Sequence, residues 1–241
     1  MSVKKRVIIL CALLFFIFVE TAALSGSDST EAVAAMTSEN AEETKYVALT
    51  FDDGPRASTT GRLLEGLAER NAHATFFVIG RQIEGNEELI KRMAAQGDQV
   101  GNHTYNHIKL KGSDYSTVLQ EINKTDVILR QLLGDGDYWL RPPYGLIDEK
   151  YRSLVSTPMI AWSVDPEDWK KLNTEAVVKA VLANAGDGDI ILLHDFYPTS
   201  VDAALEIVDK MQAEGYEFVT VKELFELKKI TPQRGKIYRC A

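Results

Sequence analysis

From Lys45 onward, short apolar runs alternate with stretches whose apolar residues recur every three or four positions. The runs at 46–51 (YVALTF), 75–79 (TFFVI), 159–162 (MIAW) and 190–193 (IILL) are short enough, and rich enough in aliphatic and aromatic residues, to predict buried strands. A shorter run at 218–220 follows the same pattern. Between them, 59–70 sets Leu63, Leu64 and Leu67 on one helical face, and 86–96 opens at Asn86, a residue suited to capping a helix. The stretch 116–133 carries Val118, Leu119, Ile122, Val127, Leu129 and Leu132, and helical spacing returns at 174–184, 201–215 and 222–228. Strands that alternate with helices pair in parallel, because each helix carries the chain back to the start of the next strand. The pattern therefore predicts an α/β fold with a mostly parallel sheet, open or closed into a barrel.

Two predicted strands run directly into polar residues. The first ends in Asp52-Asp53-Gly54-Pro55 and the fourth in His194-Asp195. The C-terminal ends of strands are where parallel α/β folds build their active sites. Acidic residues and Gly-Pro also make good turns, so neither segment alone decides between site and turn. The pair of segments, with His103-Thr104-Tyr105-Asn106-His107 between them, points to a site.

The N-terminus has a separate logic. Lys4, Lys5 and Arg6 precede an unbroken apolar run over 7–19, followed by small residues at 21–25. This is the layout of an export signal, and 13 residues fall short of the roughly 20 that a spanning helix needs. The expected organisation is a signal peptide over 1–25, with an uncleaved anchor as the alternative, a small-residue acidic linker over 26–44, a folded domain over 45–230 and a C-terminal tail over 231–241. Such a protein is expected outside the cell or at its surface, in contact with a membrane only through an uncleaved anchor, and as a monomer. Removing the leader takes away three cations and one anion, which moves the formal charge from −8 to −10. A surface that acidic excludes nucleic acid as a partner. Cys240 becomes the only cysteine, so no intramolecular disulfide can form and stability must come from the core.

The chain has only four histidines. His103 and His107 stand four apart, and on a helical turn both imidazoles would project from one face toward one cation. Asp52 and Asp53 would point to opposite sides of a regular strand, but both can turn into one pocket where the strand breaks into Gly-Pro. Two histidines and one aspartate leave a fourth tetrahedral position open, the arrangement of a catalytic rather than a structural zinc site. One carboxylate would then bind the ion and the other serve as base.

In this combination the chain resembles the NodB-type polysaccharide deacetylases, carbohydrate esterase family four, over roughly residues 45–228. Five segments match the family's motifs in order: TFDDGP at 50–55, HTYNH at 103–107, RPPYG at 141–145, DPEDW at 165–169 and LLHD at 192–195. The resemblance implies a single distorted (β/α) barrel. It implies Asp52 as base, Asp53, His103 and His107 as ligands of one divalent ion (zinc, with cobalt or another divalent ion suiting the same donors), and Arg141 as the partner that holds Asp52. It also implies a Tyr144 backbone N–H facing the oxyanion, His194 as general acid paired with Asp168, and an acetyl pocket walled by Leu192 and Trp169. His73 and Trp139 are expected to be structural, as is Asp195. Asp165 is expected to hold its own loop, and Tyr105 and Tyr197 to line the groove.

The implied activity is removal of N-acetyl groups from N-acetylglucosamine in a polysaccharide or oligosaccharide, peptidoglycan first and chitooligosaccharide next. The alternatives are O-deacetylation of xylan and a catalytically idle carbohydrate-binding protein of the cell surface. The complete set Asp52, Arg141 and His194 speaks against the idle form.

Overall fold

The computed structural model describes residues 44–241. The expected signal peptide and nearly all of the expected linker lie outside the described residues. Among those described, no helix is long and apolar enough to cross a membrane.

The sheet is built around β1 (Lys45–Asp52), which pairs in parallel with β2 (Ala74–Val78) and β5 (Ile190–His194). β3 (Gln99–Asn102) continues beyond β2, and β6 (Tyr216–Phe218) pairs with the first residues of β1. The two-residue strands β4 (Met159–Ile160) and β7 (Ile237–Tyr238) pair with each other. Single parallel bridges from Asn102 to Leu140, from Leu140 to Met159, and from Val164 to Ile191 extend the pairing around the remaining arc. The result is a distorted (β/α) barrel, one side of which is carried by bridges instead of long ladders. The helices are α1 (Thr60–Glu69), α2 (Glu87–Ala95), α3 (Tyr115–Leu133), the short α4 (Asp168–Lys171), α5 (Thr174–Asn184), α6 (Pro198–Ala213) and α7 (Val221–Leu227).

Strand alternation sorts the side chains into two layers. Val47, Leu49 and Phe51 of β1 join Ile191 and Leu193 of β5 in a core shared with Leu63, Leu64 and Leu67 of α1 and with Ile207 and Val208 of α6. Ala48 and Ile190 face the other way, into a smaller cluster with Phe77, Trp139, Ile160, Leu224 and Phe225. The same alternation carries Thr50 and Asp52, and likewise Leu192 and His194, to the inner side. The polar residues of the site therefore stand on the inner face of the sheet because their strands place them there.

Three local expectations change. Asn86 holds the N-cap position of α2 as expected, but its side chain does not cap the helix: the amide turns back and donates to the Gln82 carbonyl (3.0 Å). α6 begins three residues before the expected 201, with Pro198 in its first turn, where the missing N–H costs nothing. β3 was not foreseen as an element, because QVGN contains one large apolar residue; its pairing with β2 makes it a strand.

Candidate active site

The three candidate ligands come from two loops. Asp53 follows the last residue of β1 and adopts a left-handed backbone (φ +73°), which turns its side chain away from the outer face that strict alternation would assign. His103 and His107 were expected on a helical turn, and this is corrected by the structure: the segment after β3 is irregular. Left-handed backbone at Thr104 (φ +66°) and His107 (φ +60°) folds it back, and the two rings meet with centroids 4.8 Å apart.

Asp53 Oδ1 lies 3.4 Å from His107 Nε2 and 3.7 Å from His103 Nε2. It is buried and has no hydrogen-bond partner. Ligand bonds of about 2.0–2.2 Å in a tetrahedron separate the donor atoms by roughly 3.3–3.5 Å, so these spacings suit donors arranged around a cation better than donors bonded to one another. The His103 Nδ1 hydrogen is donated to the Arg141 carbonyl (2.7 Å), which leaves the Nε2 lone pair free to face Asp53. Burial and the neighbouring His103 hold His107 below the ordinary histidine range, in the neutral form that a ligand requires. The residues fit a divalent ion.

Asp52 is built differently. Its Oδ1 accepts a hydrogen bond from Arg141 Nη1 (2.8 Å), which also donates to Thr50 Oγ1 (2.8 Å). The guanidinium is fully buried, lies over the Phe77 ring (4.0 Å), and donates to the carbonyls of Ile160 (3.3 Å) and Ala161 (3.0 Å). Burial alone would push the Asp52 carboxyl up. The charge of Arg141, helped by His103 and His194, outweighs it and holds Asp52 below the usual carboxylate value.

Across the cavity, the fully buried Asp168 at the start of α4 takes both the His194 backbone N–H (2.9 Å) and its Nδ1 hydrogen (2.8 Å). Burial opposes a charged imidazole, but the hydrogen bond and charge of Asp168 prevail and lift His194 to about 9. The cavity between these groups encloses about 420 Å³. Leu192 and Trp169 line it, as does Tyr144, whose ring meets His107 edge-on at 5.1 Å and whose backbone is left-handed (φ +61°).

All ten sequence-nominated site residues thus face one cavity or, for Arg141 and Asp168, contact a residue that does. Tyr197 lines it as expected, but Tyr105 does not and sits under the Lys124 ammonium (3.5 Å). Asp165 both accepts the Glu167 N–H (2.9 Å) and reaches the cavity wall. Two contributors were missed. Thr50 lies two residues before Asp52, so strand alternation alone could have nominated it; Trp162, which also lines the cavity, carried no motif signal.

A sequence profile of the family described as polysaccharide deacetylase matches residues 39–157. The peptidoglycan-N-acetylmuramic acid deacetylase PdaC of Bacillus subtilis is 44% identical over 185 residues, covering 77% of this chain and 40% of PdaC. A peptidoglycan-N-acetylglucosamine deacetylase of Bacillus cereus is 37% identical, covering 76% of this chain and 69% of that one. Among solved structures, a family 4 acetyl xylan esterase of Clostridium thermocellum in complex with a cobalt ion matches with TM-score 0.77 at 31% identity, over 82% of this chain and 99% of the esterase.

The chain belongs to the polysaccharide deacetylase family. Its expected barrel agrees with that membership. The chain spans about two fifths of the length of PdaC.

Proposed function

We propose that this polysaccharide deacetylase is exported and hydrolyses the N-acetyl group of N-acetylglucosamine residues, in peptidoglycan first and in chitooligosaccharide next. The observation that carries the reading is a pair of opposed proton carriers across one cavity. Asp52 is held ionised by Arg141, and His194 is held protonated by Asp168. Amide hydrolysis needs both, because water must lose a proton to attack and the amine must gain one to leave.

In this reading Asp53, His103 and His107 hold the divalent ion, with zinc as the expected occupant. When bound, the ion supplies Lewis-acid activation of water and of the acetyl carbonyl. Asp52 accepts the proton of the attacking water. Arg141 keeps Asp52 ionised and aimed, with Thr50 and two β4-segment carbonyls fixing the guanidinium. The Tyr144 backbone N–H donates to the oxygen on which charge develops, an interaction of the kind typically worth about 3–4 kcal/mol. His194 gives its Nε2 proton to the departing sugar nitrogen, and Asp168 stabilises the imidazolium beforehand. Leu192 and Trp169 wall the space for the acetyl methyl group.

The test is acetate release from peptidoglycan fragments and N-acetylated chitooligosaccharides, with products located by mass spectrometry and each assay repeated with chelator. Deacetylated amino sugar that disappears with chelator and returns with zinc is the expected result. The similarity to PdaC makes N-acetylmuramic acid the second sugar to score in the same products. The likeness to an acetyl xylan esterase supports one alternative, O-deacetylation, for which acetylxylan is the added substrate. No acetate from any of the three would return the chain to the idle, carbohydrate-binding reading.

A further inference from the structure

The two candidate metal histidines are each preceded by an asparagine, Asn102-His103 and Asn106-His107, and both asparagines are gripped by one turn of α3. Asn102 Nδ2 donates to the Ile122 carbonyl (2.9 Å), while its Oδ1 accepts the Thr104 N–H (2.8 Å). Asn106 gives two hydrogen bonds to one carboxylate: its backbone N–H to Glu121 Oε2 and its Nδ2 to Glu121 Oε1, both 2.7 Å. Glu121 is buried, an unusual place for a glutamate unless its oxygens are satisfied. One helical turn further on, Thr125 packs against Gly80, where a Cβ would lie 2.3 Å from Thr125 Oγ1. Gly80 in turn donates its N–H to the Thr104 carbonyl (2.9 Å), so the missing side chain lets α3 close onto the histidine loop.

This contact has a reason in the backbone. Thr104 and His107 are left-handed without being glycine, a conformation that persists only where surroundings over-determine it. Backbone hydrogen bonds with Val78, Gly80 and Arg81 hold His103, Thr104 and Tyr105, but none of these reaches Asn106 or His107. For that half of the loop the α3 turn supplies the constraint from outside.

We propose that Glu121 is a positioning residue of the metal site: through Asn106 it fixes the loop that aims His103 and His107 at a common point with Asp53. The motif that matters is then N-H-x-x-N-H together with a helix glutamate 15 residues beyond the second asparagine. The inference rests on reading Asp53, His103 and His107 as metal ligands, and its test separates the two. The full chain, stripped of metal, is titrated with zinc against a chromogenic chelator for the native protein and for Glu121→Ala, Glu121→Gln, Asn106→Ala and His103→Ala. The melting temperature of each metal-free form is recorded alongside.

Groups that orient metal ligands typically contribute 10–100-fold to affinity. Glu121→Ala is expected to weaken zinc binding about tenfold or more. Glu121→Gln, which keeps one acceptor, should fall between, and Asn106→Ala, which keeps the backbone N–H on Glu121 but leaves Oε1 without its donor, should weaken it by less than Glu121→Ala. Native zinc affinity in both Glu121→Ala and Asn106→Ala, with His103→Ala impaired, would overturn the positioning role while leaving the metal site standing. Native affinity in His103→Ala would overturn the ligand assignment, and this inference with it.

Discussion

At the scale of single residues, the two proposed proton carriers differ because their partners differ. Asp52 faces a fixed cation and His194 a fixed anion, and each partner is buried deeply enough for its charge to be felt. Replacing Asp52 by Asn keeps the shape and removes the base. Turnover should fall by about 10²–10⁴-fold with zinc still bound, and near-native turnover at confirmed metal occupancy would refute the role. His194→Ala should lose far more activity on an N-acetylated sugar than on an activated acetate ester, whose leaving group needs no proton; equal fractional losses would assign His194 to positioning instead. The Asp168 link gives a pH test. The native His194 stays protonated to about 9, above its unperturbed value of 6.5, so its acid form is present through neutrality and is lost as pH rises through about 9. Asp168→Asn removes the charge that raises it, and the alkaline limb of the kcat/KM profile should move to lower pH. These residues were legible as candidates in the sequence because they lie in short contiguous motifs. Thr50 could have been nominated from its place two residues before Asp52 on β1, whereas Trp162 could not, since a tryptophan closing an apolar run says nothing until a partner is placed against it.

At the scale of elements, the ends of β1 and β5 are locked together. Asp195 alternates away from His194 toward α1, where Thr60 Oγ1 hydrogen-bonds to its Oδ2, and the same hydroxyl accepts the Arg56 N–H (2.8 Å). The carboxyl is fully buried, and that burial raises it to about 7. It occupies the space beside Gly54 where a Cβ would lie 2.3 Å from Oδ2, so the glycine between Asp53 and Pro55 is there for close approach. Gly54→Ala is expected to destabilise the domain by about 1–3 kcal/mol through overpacking. It should also reduce activity, because the residue it displaces sits next to His194 and the residue it belongs to sits next to Asp53. Adding Asp195→Ala should recover part of the melting temperature; a double variant no more stable than Gly54→Ala alone would deny the contact. The sequence reading placed Asp195 among structural residues, and it is structural in this specific sense. The helical expectation for HTYNH failed for a related reason: spacing of four suits a helix, but a loop with two left-handed residues brings the same side chains together, and that loop is held by α3 and by backbone bonds with Val78, Gly80 and Arg81, which spacing does not show.

At the scale of the whole molecule, the proposed base, Asp52, depends on the far end of the chain. The periodicity made the β1, β2 and β5 layers readable, because long apolar strands announce themselves. It also marked β4 at 159–162, but it did not reveal the Leu140 bridge or β7, one- and two-residue pairings that exist only by virtue of their neighbours. Residues 231–241, expected as a tail, supply β7: Met159 donates to the Lys236 carbonyl (2.9 Å) and Ala161 to the Tyr238 carbonyl (2.7 Å), while Ala241 donates to Gly188 (2.8 Å). The same β4 segment gives the Ile160 and Ala161 carbonyls that hold Arg141, which holds Asp52. A chain lacking 236–241 would leave β4 without its outer partner and the guanidinium on a looser frame. It should melt several degrees lower, as expected for the loss of a few hydrogen bonds at roughly 1 kcal/mol each. Its kcat should fall more than its zinc affinity, because Asp53, His103 and His107 hang on β1 and β3. Equal loss of both, or loss of neither, would show that β4 does not need β7 to present Arg141.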